Sequence, residues 1–277
     1  MLILGIESAT RVASVGLVRA AHDAGGPPVS EPGRVTDACV ALAEVSRDTG
    51  RAHGAELLSL MDECLSAGGH GLEEIDCIAV SSGPGSFTGL RVALATAKGL
   101  ALAGDIALVG VPTLEALAAT LVPGWGNDAA PAAAEGALIA ACVDARKGEV
   151  YTALFAVRAP IWREPNPRLQ RLAADAAQSP AEFAAELLEA LDAERHLILL
   201  GDGPERYREI LEPRDERARV YPFDRVPPQG VTVARLGAGL MAAGGGQDRA
   251  ALVPQYARAS EAELVRARRA SEPPRPH

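Results

Sequence analysis

The sequence predicts an α/β chain built as two domains of related architecture. Three observations carry this expectation. The 277 residues leave room for two domains at roughly 100–200 residues each. The apolar runs come in the order hairpin, strand, helix, strand, helix, and a similar strand-and-helix set follows from about residue 138. Hydrophobic residues at 48% and charged residues at 23% are the balance of a globular protein. Aromatics are only 4%, which leaves the core to Ala, Val, Leu and Ile. The two halves share no close sequence repeat.

Taken in order, Leu2–Ile6 reads as a buried strand, Glu7–Arg11 as a polar turn and Val12–Val18 as a second strand. A loop rich in Gly and Pro runs from Ala21 to about Thr36, and Cys39–Val45 returns as a third strand. Within Ala52–Ala67, Leu57, Leu58, Met61, Cys64 and Leu65 recur at helical spacing, and Gly68-Gly69 stops the helix. Ile75–Val80 is apolar on both faces, as a central strand is. The loop Ser81–Gly89 leads to a helix, Leu90–Ala103, rich in small residues. Val109–Pro112 is a short strand, and Thr113 is expected to cap a helix from Leu114 to about Leu121. Pro123–Gly136 is a low-complexity linker.

In the second half, strands Leu138–Val143 and Val150–Val157 flank a charged turn. Ser179-Pro180-Ala181-Glu182 starts a helix with a cap, Pro at the first position and Glu at the third. A strand His196–Leu200, the turn Gly201–Pro204, a helix to Leu211 and a late helix Val231–Ala243 follow. The division is expected at 1–108 and 109–258, with the late helix free to pack back on the first domain and 259–277 a flexible tail.

Charge and spacing exclude several function classes. Basic residues number 27 against 36 acidic ones, a net charge of −9, so the chain alone is a poor binder of nucleic acid. The basic, proline-rich end Arg266–His277 reads as a solvated tail, with a phosphate-contacting arm as the alternative. Cys39, Cys64, Cys77 and Cys142 form no CxxC pair, which argues against zinc or redox motifs. Met1 leads straight into Leu2–Ile6 with no basic stretch, and no apolar run reaches the ~20 residues of a membrane span. The expectation is a reduced, cytoplasmic protein. Among His22, His53, His70, His196 and His277 no two stand four apart, which excludes a zinc helix of the HExxH kind. No Gly-x-Ser-x-Gly elbow occurs.

Three segments carry candidate chemistry. The loop Ser81–Arg91 has glycines at 83, 85 and 89 between a strand and a helix, where backbone N–H groups can favour an anion. It is neither a Walker A loop nor the dinucleotide fingerprint, and a structural turn is an equal reading. In the opening hairpin an acid, Glu7, ends the first strand and Ser8 and Thr10 line the turn. This resembles the phosphate hairpin of the actin–sugar kinase–Hsp70 superfamily. Asp144–Tyr151 is a hairpin with Lys147-Gly148 at its tip. There Asp144 and Glu149 read as a solvated hairpin end, with paired carboxylates for acid/base work as the alternative, and Arg146 as the fork for a phosphate or carboxylate. Gly201-Asp202-Gly203-Pro204 is open between a strand-capping turn and a nucleotide contact.

Together, Leu2–Thr10, Arg51-Ala52-His53, Ser82–Arg91, Gly110–Leu117 and Asp144–Tyr151 resemble, in the same order, the TsaB (YeaZ) family. Gly201–Gly203 and Pro254–Arg258 add scattered support. The resemblance implies an actin-like, two-domain ASKHA fold with duplicated ribonuclease H-like domains. It also implies a non-catalytic subunit of the complex that attaches threonylcarbamoyl to the adenosine following the tRNA anticodon. The implied partners are TsaD, which carries the catalytic metal-binding histidines, the ATPase TsaE, tRNA through the complex, and a second copy when the chain is alone. No cofactor is expected on the chain itself; ATP/ADP and metal are expected only in the complex. The sequence departs from the family pattern with Glu7 in place of the usual Asp, Gly54 in place of Ser, and extra residues at 20–36.

Helices 52–67 and 88–103 are apolar or small around much of their circumference, which suits burial by another chain as well as by the core. The expected interface residues are His53, Leu57, Leu58, Met61, Leu65, Arg91, Leu94 and Lys98. The expected nucleotide- or subunit-facing residues are Glu7, Ser8, Ser82, Ser86, Thr88, Arg91 and Arg146, and no catalytic or metal-binding residue is expected. The alternative is an independent ATP-dependent phosphotransferase or a glycoprotease-like peptidase of the same fold.

Overall fold

The structure, a computed structural model, describes residues 1–21, 39–50, 53–122, 125, 133–158, 169–191, 195–227, 229–244, 246 and 248–257. The extra residues expected at 20–36 fall outside these from residue 22 onward, as do Arg51, Ala52 and the tail 259–277.

The first sheet has the strand order β3-β2-β1-β4-β5. Strands β1 (Leu2–Glu7), β2 (Val12–Ala20) and β3 (Cys39–Asp48) are antiparallel. Strands β4 (Cys77–Gly83) and β5 (Ala107–Pro112) join β1 in parallel. Alternation in β1 sends Leu2, Leu4 and Ile6 to one face and Ile3 to the other. The first face is covered by α1 (His53–Gly68) and α2 (Phe87–Ala103), which cross over between consecutive strands.

The second sheet has the order β11-β10-β6-β7-β8, with β9 also pairing with β7. Strands β6 (Leu138–Arg146) and β7 (Glu149–Val157) form its central hairpin. Strands β8 (Leu169–Arg171), β9 (Ala176–Gln178), β10 (Leu197–Leu200) and β11 (Ala218–Val220) complete it. Helix α3 (Thr113–Ala119) follows β5 and packs against both sheets. Helix α4 (Pro180–Ala190) starts from the capping box in which the Ser179 hydroxyl accepts from Glu182 N–H. Short helices α5 (Gly203–Arg206) and α6 (Arg208–Leu211) replace the single helix expected to run to Leu211.

The last helix, α7 (Gly230–Ala242), lies on the uncovered face of the first sheet. Gly5 and Gly16 face each other in the β1–β2 register. A Cβ on Gly5 would collide with the Gly230 carbonyl, and one on Gly16 with Val231 N, so the helix start rests directly on strand backbone. Glu44 closes the helix N-terminus: its Oε1 accepts from Val231 N–H (3.1 Å) and from the Ser14 hydroxyl (3.3 Å), while Ser14 Oγ accepts from Gly230 N–H (2.9 Å). Burial raises the Glu44 pKa, and the Val231 and Ser14 hydrogen bonds oppose that shift. One apolar core then runs from Ile3, Ala79 and Val109 through Leu117 and Leu236 to Ile139, Phe155 and Leu200, joining the two sheets.

Three expectations need correction here. The division at 108–109 falls inside β5, which pairs with β4 through Pro112. Strand β4 extends to Gly83 and α2 starts at Phe87, so only residues 84–86 remain of the loop expected at 81–89. Thr113 lies within its helix; its Oγ1 accepts from Gly83 N–H (3.1 Å), tying the helix start to the glycine loop.

Candidate functional site

A cleft of about 420 Å³ opens between the two sheets. The β1–β2 turn (Ala9, Thr10, Arg11) and the glycine loop with the first turn of α2 (Gly85–Thr88) line one side. Val143–Arg146, Tyr151 and Asp202 line the other. Motifs scattered along the sequence therefore meet at one place. Arg11, Phe87 and Tyr151 were missed as candidates. The only sequence signal for them was their position within or beside the motif turns.

Glu7 is fully buried beneath the hairpin turn. Its Oε1 accepts from Ala9 N–H (2.6 Å) and its Oε2 from the Ser81 hydroxyl. Burial pushes its carboxyl up to about 7, against the pull of those two hydrogen bonds. Ser8 is buried as well, and its hydroxyl has no partner among the described residues. Ser82 is buried and donates to the Val111 carbonyl (3.2 Å). Glu7, Ser8 and Ser82 were expected to face a ligand or subunit; Glu7 and Ser82 sit behind the cleft wall instead, because β1 and β4 are central strands covered on both faces, and Ser8, one residue past β1, is buried with them.

Ser86, Thr88 and Arg146 do line the cleft. The Ser86 hydroxyl caps α2 by accepting from Gly89 N–H (3.2 Å). Ser86 N–H donates to the Ala9 carbonyl (2.6 Å), and a Cβ on Gly85 would press into that same carbonyl. The glycine loop is thus seated on the hairpin turn. Arg11, within that turn, pairs with Asp48 (3.0 Å), lies 3.9 Å from Glu205 and rests over the Phe223 ring (4.9 Å).

Across the cleft, Arg146 pairs with Glu149 in register, so Lys147 and Gly148 form the hairpin tip, with φ of 55° and 83°. Positive φ at both positions is the turn that matches strand twist. Asp144 Oδ1 accepts from Arg146 N–H (2.9 Å) and from the Tyr207 hydroxyl (3.1 Å). Asp202 accepts from Asp144 N–H (2.9 Å), and burial raises its pKa to about 6. The Arg146 side chain is exposed at the cleft edge.

The expected interface splits in two. Leu57, Met61, Leu65 and Leu94 are buried against the chain's own first sheet, so they cannot face a partner. The stripe that periodicity detects is the one a helix lays on a sheet. Leu58 is 58% exposed, beside exposed Ser59 and Asp62. On α2 the outward stripe is Phe87, Arg91, Ala95, Gly99 and Leu102. Lys98 is half-buried and reaches the Ala250 carbonyl (3.5 Å). His53 opens α1, and its side chain lies outside the described residues. Segment 248–256 runs alongside α2, with Arg249 paired to Asp105 (2.8 Å) and Gln255 N–H donating to the Ser82 carbonyl (2.7 Å). No helix among the described residues is long and apolar enough to cross a membrane.

Comparison with known proteins agrees with this geometry. Residues 45–161 match the family model of TsaD, the tRNA N6-adenosine threonylcarbamoyltransferase. The tRNA threonylcarbamoyladenosine biosynthesis protein TsaB of Bacillus subtilis is 31% identical over 206 residues, covering 74% of this chain and 77% of that one. The Escherichia coli protein of the same name is 36% identical over 105 residues, 38% of this chain, and the match spans 42% of its length. A crystal structure of an uncharacterised Pseudomonas aeruginosa protein with similarity to the peptidase YeaZ superposes with a TM-score of 0.67 at 23% identity, covering 93% of this chain and 99% of that one. The fold is the two-lobed actin-like one, with a ribonuclease H-like sheet in each lobe.

Proposed function

Since the chain belongs to the TsaB family and takes part in tRNA threonylcarbamoyladenosine biosynthesis, we propose that it acts there as a non-catalytic scaffold that holds the TsaD-type transferase in its working form. The seating of the glycine loop on the hairpin turn carries this reading. A phosphate cradle needs amides aimed at the ligand. Here the amides of Ala9, Gly83, Ser86 and Gly89 all donate to protein oxygens. In this reading ATP/ADP and metal belong to the assembled complex.

Pairing uses the outward faces of α1 and α2, where Leu58, Ala95, Gly99 and Leu102 lie exposed around small, flat positions. The same faces join two copies when the transferase is absent. A TsaE-type ATPase joins the pair, and tRNA is reached through the complex.

Reconstitution tests the reading. The chain, the transferase, the ATPase, the threonylcarbamoyl-adenylate donor and tRNA are combined, and modified nucleoside is measured by mass spectrometry. The expected result is no product from this chain alone, and a large drop when it is omitted. Product from the isolated chain, or a transferase indifferent to it, overturns the scaffold role.

A further inference from the structure

We propose that the docking surface for the transferase-family partner extends beyond the faces of α1 and α2 onto segment 248–256, where Tyr256 packs on Phe87 and Arg91 of α2 and Val253 precedes it by three residues. This rests on the pairing proposed above.

The chain has four phenylalanines. Phe155, Phe183 and Phe223 are fully buried, whereas Phe87 is 46% exposed on the first turn of α2. Tyr256, 38% exposed, stacks on it with ring centroids 5.5 Å apart. The Arg91 guanidinium lies 3.8 Å from the Phe87 ring centroid, and its Nε–H donates to the Tyr256 hydroxyl (2.9 Å). Two of the ten Phe, Tyr and Trp residues of the sequence are therefore displayed in an ordered stack, and Val253, three residues before Tyr256 on the same segment, is 60% exposed.

The stack is held from below. Leu252 is buried in the core that α2 shares, and Gln255 is bound to Ser82. Tyr and Arg, with Trp, are the side chains enriched where interfaces concentrate binding energy, and groups ordered in advance lose little freedom on binding. The cluster continues the outward stripe of α2, so a partner covering Ala95, Gly99 and Leu102 reaches it without a gap.

The occupant is a protein of the transferase family. The transferase model matches residues 45–161, a stretch holding α1 and α2 entire, so a transferase presents equivalent helices for a face-to-face contact. RNA is disfavoured by the net charge of −9 and by exposed Asp62 and Glu63 on the adjacent helix.

The test uses the full-length chain and the transferase from the same cell, with affinity read by calorimetry. The variants are Val253→Glu, Tyr256→Ala and, as a helix-face control, Leu102→Arg. All three positions are at the surface, and thermal melting confirms that each variant folds. The expected result is a loss of affinity of tenfold or more for all three. If only Leu102→Arg weakens pairing, the helices dock alone and this proposal falls while the scaffold reading stands. If wild type fails to pair, or no variant changes pairing, both fall. If the segment variants pair normally but lose photo-crosslinking to tRNA, the stack is a base platform and the proposal is overturned.

Discussion

Glu7→Gln is the most informative single change. The Glu7 carboxyl is fully buried, and its pKa rises from an ordinary 4.5 to about 7. Between those values the folded chain holds a proton that the unfolded chain has released, so stability falls as pH rises through the window and levels off above 7. At about 1.4 kcal/mol per unit, the shift of 4.5 to about 7 corresponds to roughly 3 kcal/mol of lost stability at pH 8 relative to pH 4. Glutamine keeps the acceptor for Ala9 N–H and turns the other atom into a donor toward Ser81, with no charge to bury. The variant is expected to match wild type at pH 5 and to exceed it by about 2–3 kcal/mol at pH 8. The assay is urea unfolding of both proteins at pH 5, 6, 7 and 8. Asp202, raised to about 6 by burial, tilts both curves alike, so the difference between them isolates Glu7. Parallel pH profiles, or a variant weaker than wild type at pH 8, refute the reasoning.

Other expectations follow from the same packing. Gly16→Ala drives a methyl into Val231 N and is expected to destabilise the chain by about 3 kcal/mol, read as a lower urea midpoint. Met61→Glu places a carboxylate in the core under α1 and is expected to unfold the chain, whereas Leu58→Glu keeps stability within about 0.5 kcal/mol and weakens pairing at least tenfold by sedimentation. A folded Met61→Glu protein contradicts this assignment of faces. Arg11→Met removes the Asp48 and Glu205 contacts and the approach to Phe223. It is expected to lower stability by less than about 1 kcal/mol while speeding hydrogen exchange around Phe223.

The hairpin, the central strands and α4 are legible in the residues because alternation, apolar runs and a capping box are local signals. Strands β8, β9 and β11 have three residues each, too few for a period to register. The cleft was half legible: the turns at Ala9–Arg11, Gly85–Thr88 and Asp144–Arg146 stand out singly, but only the topology brings them together. The docking face was misread for a physical reason. Leu57, Leu58, Met61 and Leu65 all fit helical spacing whether they meet the chain's own sheet or another chain, so spacing alone does not separate exposed Leu58 from the buried three. Phe87 and Tyr256 stand 169 positions apart, so nothing local links them.

The placement of α7 has a consequence for biosynthesis. Ribosomes make β1 well before α7, yet α7 is what shields the greasy side of the β1–β2–β4 platform. The lobe that holds β1 therefore cannot finish folding until α7 has been made. From the end of β5 its bare sheet face waits for more than a hundred further residues, a natural target for chaperones, and any message cut short before α7 yields a sticky, incomplete product.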